Sequence, residues 1–238
     1  MKLDSWVGKQ AGIGRKAAQA AILAGRVTVD GQICRAWAND LDRFRRVEFD
    51  RCILGEPEPE LYFMVHKPAG VVSATRDATA TTVVDLVDHP EKHRLHVAGR
   101  LDRSSTGLVL LTNNGNWSKP LMSGSGQIEK VYLVETDAEI PDGAERAFQD
   151  GFWFATEEIR TRPAKLKLLG ARVAEVTLTE GRYHQIKRMF HRLGCRLTSL
   201  HRTRIGDLHL DPALAPSQAR ALNSKEIWTA LAGNPPFP

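Results

Sequence analysis

Apolar and polar positions follow a helical rhythm at the start of this chain and then change to a strand rhythm. Leu3, Trp6 and Val7 fall at helical spacing, and Gly12-Ile13-Gly14 interrupts the run. An Ala-rich stretch predicts a second helix from Arg15 to Leu23, stopping at Gly25. Val27-Thr28-Val29, then Asp30-Gly31, then Gln32-Ile33-Cys34 read as strand, two-residue turn and strand. Asp-Gly is the dipeptide that tight hairpin turns favour, because both central residues need positive φ. This small α/β module should expose Lys9, Arg15, Lys16, Arg26 and Arg35. Residues 55–60 (Gly-Glu-Pro-Glu-Pro-Glu) are acidic and lack apolar side chains, and they predict an extended, unpacked linker. The expected division is therefore 1–54, a linker at 55–60, and a second domain at 61–238.

The second domain reads as strands broken by two helices. A short strand over 61–66 ends at Lys67-Pro68-Ala69-Gly70, and Val97-Ala98 leads into the loop 99–102. The apolar run in 107–112 predicts a buried strand, and 131–134, 165–169, 173–179 and 197–200 predict four more. Pro141-Asp142 starts a helix over 143–149. A second helix is expected over 183–193, stopped by Gly194. Ile186, Met189, Phe190 and Leu193 form its core face, while His184, Lys187, Arg188 and His191 share a neighbouring face suited to an anion. There is no internal repeat. The fold class expected is α+β on a mixed or antiparallel sheet with flanking helices.

Charge changes the picture. The net charge of +5 is modest, but its distribution is uneven. Residues 1–51 carry 10 basic against 6 acidic side chains, residues 52–159 carry 9 against 17, and residues 160–204 carry 12 against 2. A single basic run is commonly a solvated face. Two of them separated by an acidic stretch suit a polyanion held at two places. Three scattered cysteines, Cys34, Cys52 and Cys195, argue against a disulfide framework or a zinc site and fit a reducing cytoplasm. The start of the chain has no apolar core of a signal peptide, and no segment has the roughly 20 apolar residues of a membrane span. His89, His93 and His96 are spaced like metal ligands, but Pro90 makes a surface loop the expected reading, so no metal is assigned. No phosphate-binding or dinucleotide-binding glycine pattern occurs. The polar tail 233–238 is expected to be disordered.

Three segments could carry chemistry. Asp102 sits in a Gly-bounded loop between apolar strands, with Arg100 and Arg103 beside it to hold it ionised. Tyr132 lies in Glu129-Lys130-Val131-Tyr132. The third segment, Gly181-Arg182-Tyr183-His184-Gln185-Ile186-Lys187-Arg188-Met189, is basic and amphipathic. Taken singly these are a turn residue, a strand tyrosine and a charged helix face.

Together, and in this order, they resemble the bacterial pseudouridine synthases. The shared motifs are Gly-Arg-Leu-Asp at 99–102 with Thr-Gly at 106–107, Glu-Lys-x-Tyr at 129–132, Gly-Arg-Tyr-His-Gln-Ile-Lys-Arg-Met at 181–189, and a Lys-Pro-x-Gly opening at 67–70. The N-terminal module is similar to the RNA-binding fold named for ribosomal protein S-four. The arrangement is that of the RsuA type, which modifies small-subunit rRNA. That resemblance implies Asp102 as the essential carboxylate, Tyr132 stacked on the target base, Lys187 as the cation that holds Asp102, and Arg100 keeping the nucleotide extruded. It implies rRNA contacts from Arg103, Arg182, His184, Gln185 and Arg188 and from the N-terminal cations, a target at uridine 516 of 16S rRNA in an assembly intermediate, a monomer, no membrane and no cofactor. Two positions depart from the family pattern. Ser104 stands where an acidic residue is usual and His66 where Asn is usual; neither is expected to touch a catalytic group. The competing expectations are a synthase of large-subunit rRNA and a non-catalytic RNA-binding assembly protein.

Overall fold

A computed structural model describes residues 1–123 and 128–231. The chain divides into two units, Met1–Glu60 and Leu61–Pro238, and the expected disordered tail lies outside the described residues. In the first unit, α1 (Leu3–Gln10) and α2 (Arg15–Leu23) are followed by β1 (Val27–Val29), β2 (Gln32–Ile33), β3 (Val47–Phe49) and β4 (Cys52–Gly55). The strands form an antiparallel sheet in the order β2-β1-β3-β4. Asp30 and Gly31 take the positive φ angles that the sequence demanded. A second hairpin turns at Asp50-Arg51, also at positive φ. Leu3, Val7, Ala18, Ile22, Val27, Leu41 and Val47 make the core.

The acidic segment after β4 is not the unpacked linker expected. The Glu58 N–H donates to the Arg43 carbonyl at 3.0 Å, and the Glu58 carboxylate pairs with Arg43 at 2.9 Å. Its charges hold it where its composition offered no apolar anchor.

The first unit also buries a carboxylate. Asp4 is fully buried and accepts from the Ser5 amide at 2.7 Å, Arg15 Nε at 2.8 Å and Gln19 Nε2 at 2.6 Å. The Gln19 and Arg15 hydrogen bonds hold its carboxyl at about 2.

In the second unit, β5 (Tyr62–Lys67), β6 (His96–Val97) and β7 (Thr106–Thr112) precede α3 (Gly115–Met122). Then come β8 (Lys130–Thr136), α4 (Ala144–Asp150), β9 (Trp153–Phe154), β10 (Ile159–Arg160), β11 (Lys165–Gly170) and β12 (Val173–Leu178). The series ends with α5 (Gln185–Arg192), β13 (Leu197–Ile205), β14 (Leu208–His209), β15 (Ala219–Ala221) and α6 (Ser224–Thr229). The main sheet runs β11-β12-β8-β13-β7-β5-β15, with β6 on β7 and β14 on β13. Among the described residues the β13–β7 pairing is the parallel one of this sheet and the others are antiparallel, so the sheet is mixed and the unit is α+β. Among the described residues no helix is long and apolar enough to cross a membrane.

Both sheet faces are covered, which explains why β5 and β7 are apolar almost throughout. Phe63, Val65, Val109 and Leu111 face one core with Phe148 of α4 and Met189 and Phe190 of α5. Tyr62, Met64, Leu108 and Leu110 face the other with Trp117 of α3. Burying Ile186, Met189 and Phe190 is worth about 2 kcal/mol each and pins α5 to the sheet. The first turn expected for that helix is instead a bend: His184 adopts the left-handed conformation (φ 49°), and the helix begins at Gln185.

Asp4 generates a prediction. Its folded pKa lies below the unfolded value of about 4, so the stability it contributes is present above pH 4 and disappears as pH falls through about 2. Hydrogen-exchange protection of the β1 amides, the measured rate set against the intrinsic rate at the same pH, should fall over that window in the wild-type full chain. In Asp4→Asn it should already be lower at pH 6 and change less between pH 4 and 2.

Candidate active site

Asp102 lies in the loop between β6 and β7, and buried cations shape that loop from beneath. Lys67, at the end of β5, is fully buried and its ammonium donates to the carbonyls of Ser105 (2.6 Å), Pro68 (3.0 Å) and Arg103 (3.2 Å). Burial pushes its pKa down to about 8, opposed by the negative charge of Asp102. Arg202 on β13 is 1% exposed and donates to the carbonyls of Leu108 (2.7 Å), Gly99 (2.9 Å) and Arg100 (3.4 Å). Ser73 Oγ both donates to and accepts from the Leu101 backbone. The loop is therefore gripped on either side of Asp102 by side chains that have no freedom of their own.

Gly107 lets β7 and β13 approach closely enough for this. Its φ is +104°, and a Cβ there would collide with the backbone oxygen and nitrogen of Arg202. The Thr-Gly of the sequence motif is thus a packing requirement of the parallel pairing.

The Asp102 carboxylate meets α5. Lys187 Nζ lies 2.7 Å from its Oδ2, and His184 Nε2 lies 3.6 Å from its Oδ1. The bend before α5 turns His184 into this position. Both partners of the Lys187–Asp102 pair are 30% exposed. Such a pair adds only about 1 kcal/mol to stability, and its main effect is to orient the carboxylate. The flanking arginines do not provide the contact expected of them. Among the described residues Asp102 is paired with Lys187 and approached by the His184 ring, while Arg103 Nε donates to the Gly70 carbonyl at 3.0 Å.

Ser104 corrects a second expectation. Its hydroxyl accepts from Lys187 Nζ at 3.1 Å, so this departure from the family pattern touches the catalytic group directly. His66 bonds the Leu214 carbonyl at 2.7 Å and packs edge-on against His201.

Asp102, Tyr132 and Lys187 line one cleft of about 870 Å³ with Arg100, Lys130 and Arg202. Tyr132 is 7% exposed, with the Arg202 guanidinium 5.9 Å from its ring centre. Arg100, Arg103, Arg182, Tyr183 and His184 also line this cleft, and Tyr183 is 72% exposed with its ring stacked on His184 at 3.9 Å. Beside it a shallower depression of about 400 Å³ is lined by Lys187, Arg188, His191 and Arg192.

Besides Arg103, three residues expected to meet RNA have internal partners: Arg182, whose Nε donates to the buried Glu180 carboxylate at 3.0 Å, Gln185 and Arg188. Gln185 is buried, donating to Glu180 at 2.8 Å and accepting the Arg182 amide at 3.0 Å. Arg188 forms a two-pronged pair with Glu157 (2.6 and 2.7 Å) and lies over the Phe154 ring at 3.6 Å. In the first unit, Arg15 is held by Asp4, Arg26 by Asp50 and Arg35 by the Leu23 carbonyl, whereas Lys9 and Lys16 are exposed. Sequence reasoning assigned no part to Lys67 or Arg202. Lys67 stood in a quoted motif, but a buried arginine on a strand leaves no periodic signal.

Known proteins resemble the whole chain. A family model described as RNA pseudouridylate synthase matches residues 61–192. Ribosomal small subunit pseudouridine synthase A of Pseudomonas aeruginosa is 44% identical over 227 residues, which is 95% of this chain and 99% of that protein. The Escherichia coli protein of the same name is 40% identical over 231 residues, covering 97% and 100%. A crystal structure of a pseudouridylate synthase superposes with a TM-score of 0.70 at 35% identity, covering 97% of this chain and 99% of that one.

The grip on the loop can be tested at Gly107. Gly107→Ala should cost roughly 3 kcal/mol through the clash with Arg202 and the left-handed backbone. Urea unfolding measures it; a loss under about 1 kcal/mol would show that the β7–β13 approach is looser than described.

Proposed function

Since the chain belongs to the RNA pseudouridylate synthase family, we propose that it converts one uridine of 16S rRNA, the site typical of its branch at uridine 516, to pseudouridine with Asp102 as the essential carboxylate. The chain is an RNA pseudouridine synthase. The observation that carries the choice of residue is the Lys187–Asp102 contact at 2.7 Å, in the same cleft as Tyr132.

The reaction breaks N1–C1′, turns the uracil over and joins C5 to C1′. It is an isomerisation, so neither electrons nor phosphate are exchanged with another reactant. Positive charge develops at the sugar as the glycosidic bond breaks, and an ionised Asp102 stabilises it or captures C1′ covalently, as carboxylates do at glycosidase sites. Lys187 and Ser104 keep the carboxylate aimed. The Tyr132 ring supports the freed uracil while it turns, and its phenol relays the C5 proton after the new bond forms. Extrusion of the uridine from its stack costs a few kcal/mol. Exposed cations at the rim, Arg100, Arg103 and Arg182, offset that cost by binding the backbone on either side.

The first unit, read as an S-four-like RNA-binding domain, offers Lys9 and Lys16 to a second RNA element. Two contacts on one chain raise the effective concentration of the second. A monomer acting in the cytoplasm on a small-subunit assembly intermediate fits this reading. The near full-length match to relatives named for the small subunit favours 16S over 23S rRNA as the target.

Asp102→Asn should lower tritium release from C5-labelled uridine in RNA by about 1000-fold or more while RNA binding persists. Retained turnover would remove Asp102 from the mechanism. Pseudouridine mapping in both rRNAs of a deletion strain should show one site lost from 16S rRNA; a loss confined to 23S rRNA would reassign the substrate.

A further inference from the structure

Lys130 opens β8 two residues before Tyr132, so the strand pleat sends both side chains to one face, and both line the cleft. The lysine is 8% exposed. In the strand pairing it lies opposite Leu178 on one side and Ile205 on the other. Among the described residues its ammonium has no carboxylate partner, and the hydrogen bond it makes is to the Ile128 carbonyl at 3.2 Å. Burial, and then the charge of Arg202, press its pKa down to about 8. A buried cation with no counter-charge lowers stability, and an apolar side chain of the same length would serve the fold better. Such an arrangement becomes favourable when something negative enters the cleft.

The reaction produces an anion at that place. When N1–C1′ breaks, the bonding pair stays with the uracil and its charge spreads over N1, O2 and O4. The neighbouring cations are committed: in the cleft, half-buried Lys187 to Asp102 and buried Arg202 to three carbonyls, and, under the loop, buried Lys67 to three more. Tyr132, beneath the ring, offers stacking but no charge. We propose that Lys130 is a catalytic residue whose ammonium hydrogen-bonds a carbonyl oxygen of the extruded uracil and stabilises its negative charge between bond cleavage and rejoining. The inference rests on the uridine-isomerisation reading above. No proton changes hands in this contact. The electron pair leaves C1′ with N1 and returns through C5 to form C5–C1′; the C5 proton then leaves through the Tyr132 phenol while N1 takes up a proton, so the product is an isomer of uridine.

The test compares wild type, Lys130→Met and Lys130→Arg in single-turnover assays at saturating RNA, with melting temperature as the check on folding. The Met variant keeps the length and loses the charge. Its rate constant should fall about 100-fold, as on removal of one donor to a developing anion, with RNA affinity within threefold of wild type. Arg should restore at least a tenth of the wild-type rate. A second substrate carries 5-fluorouridine at the target, where fluorine itself stabilises the uracil anion; consumption of that nucleoside should suffer less from the loss of the charge. A folded Lys130→Met within twofold of wild type overturns the inference, as does an equal loss on both substrates or an Arg variant no better than Met. If Met and Arg both melt early, the ratio of losses on the two substrates still decides. Wild type inactive on both 16S and 23S rRNA would sink the underlying reading and the inference with it, whereas active wild type matched by Lys130→Met sinks the inference alone.

Discussion

The contact between Lys187 and Asp102 is the constraint on which the site depends. It joins a loop to a helix, and each side is fixed independently. The loop is held by Lys67, Arg202 and Ser73 through its backbone carbonyls and amides. The helix is held by Ile186, Met189 and Phe190, which are buried against the sheet. Because neither partner can relax toward the other, a pair worth little in stability can still define where a carboxylate points.

The same logic explains the buried cations in the cleft and under its loop. Lys67, Lys130 and Arg202 are all buried, and none pairs with a carboxylate among the described residues. All three donate to backbone carbonyls, and those of Lys67 and Arg202 shape the loop. Their combined positive charge favours a negative ring beside position 102. A site built for a charge-separated state must separate those charges beforehand, and the cost appears as lysines whose pKa has been pressed down to about 8.

Much of this was legible in the chain. The Asp30-Gly31 hairpin, the buried strand around Leu108–Leu111 and the apolar face of α5 followed from periodicity and turn chemistry. The second hairpin did not, because Asp50-Arg51 has no glycine, and an arginine at positive φ is a rare choice held here by the pairing of Asp50 with Arg26. Helix α3 was not expected, since Gly115 and Pro120 are poor helix formers. Asn114 caps it through the Asn116 and Trp117 amides, and Trp117 anchors it to the sheet. Strand β13 reads as polar beyond Leu200, since Arg202 is buried for its hydrogen bonds and not for its hydrophobicity. In the site, the three motifs named Asp102, Tyr132 and Lys187. Pattern could not reveal that Ser104 touches Lys187, or that Gln185 and Arg188 have internal partners, because those contacts join residues distant in the chain or depend on the bend at His184.

The most direct measurement is a crystal structure of the protein bound to RNA with 5-fluorouridine at the target, where fluorine leaves no C5 proton to lose and the reaction stalls. The base should lie extruded on the Tyr132 ring, with the Asp102 carboxylate at C1′ and Lys187 still on Asp102. A target ribose lying away from Asp102, with the base elsewhere than on Tyr132, would contradict this arrangement.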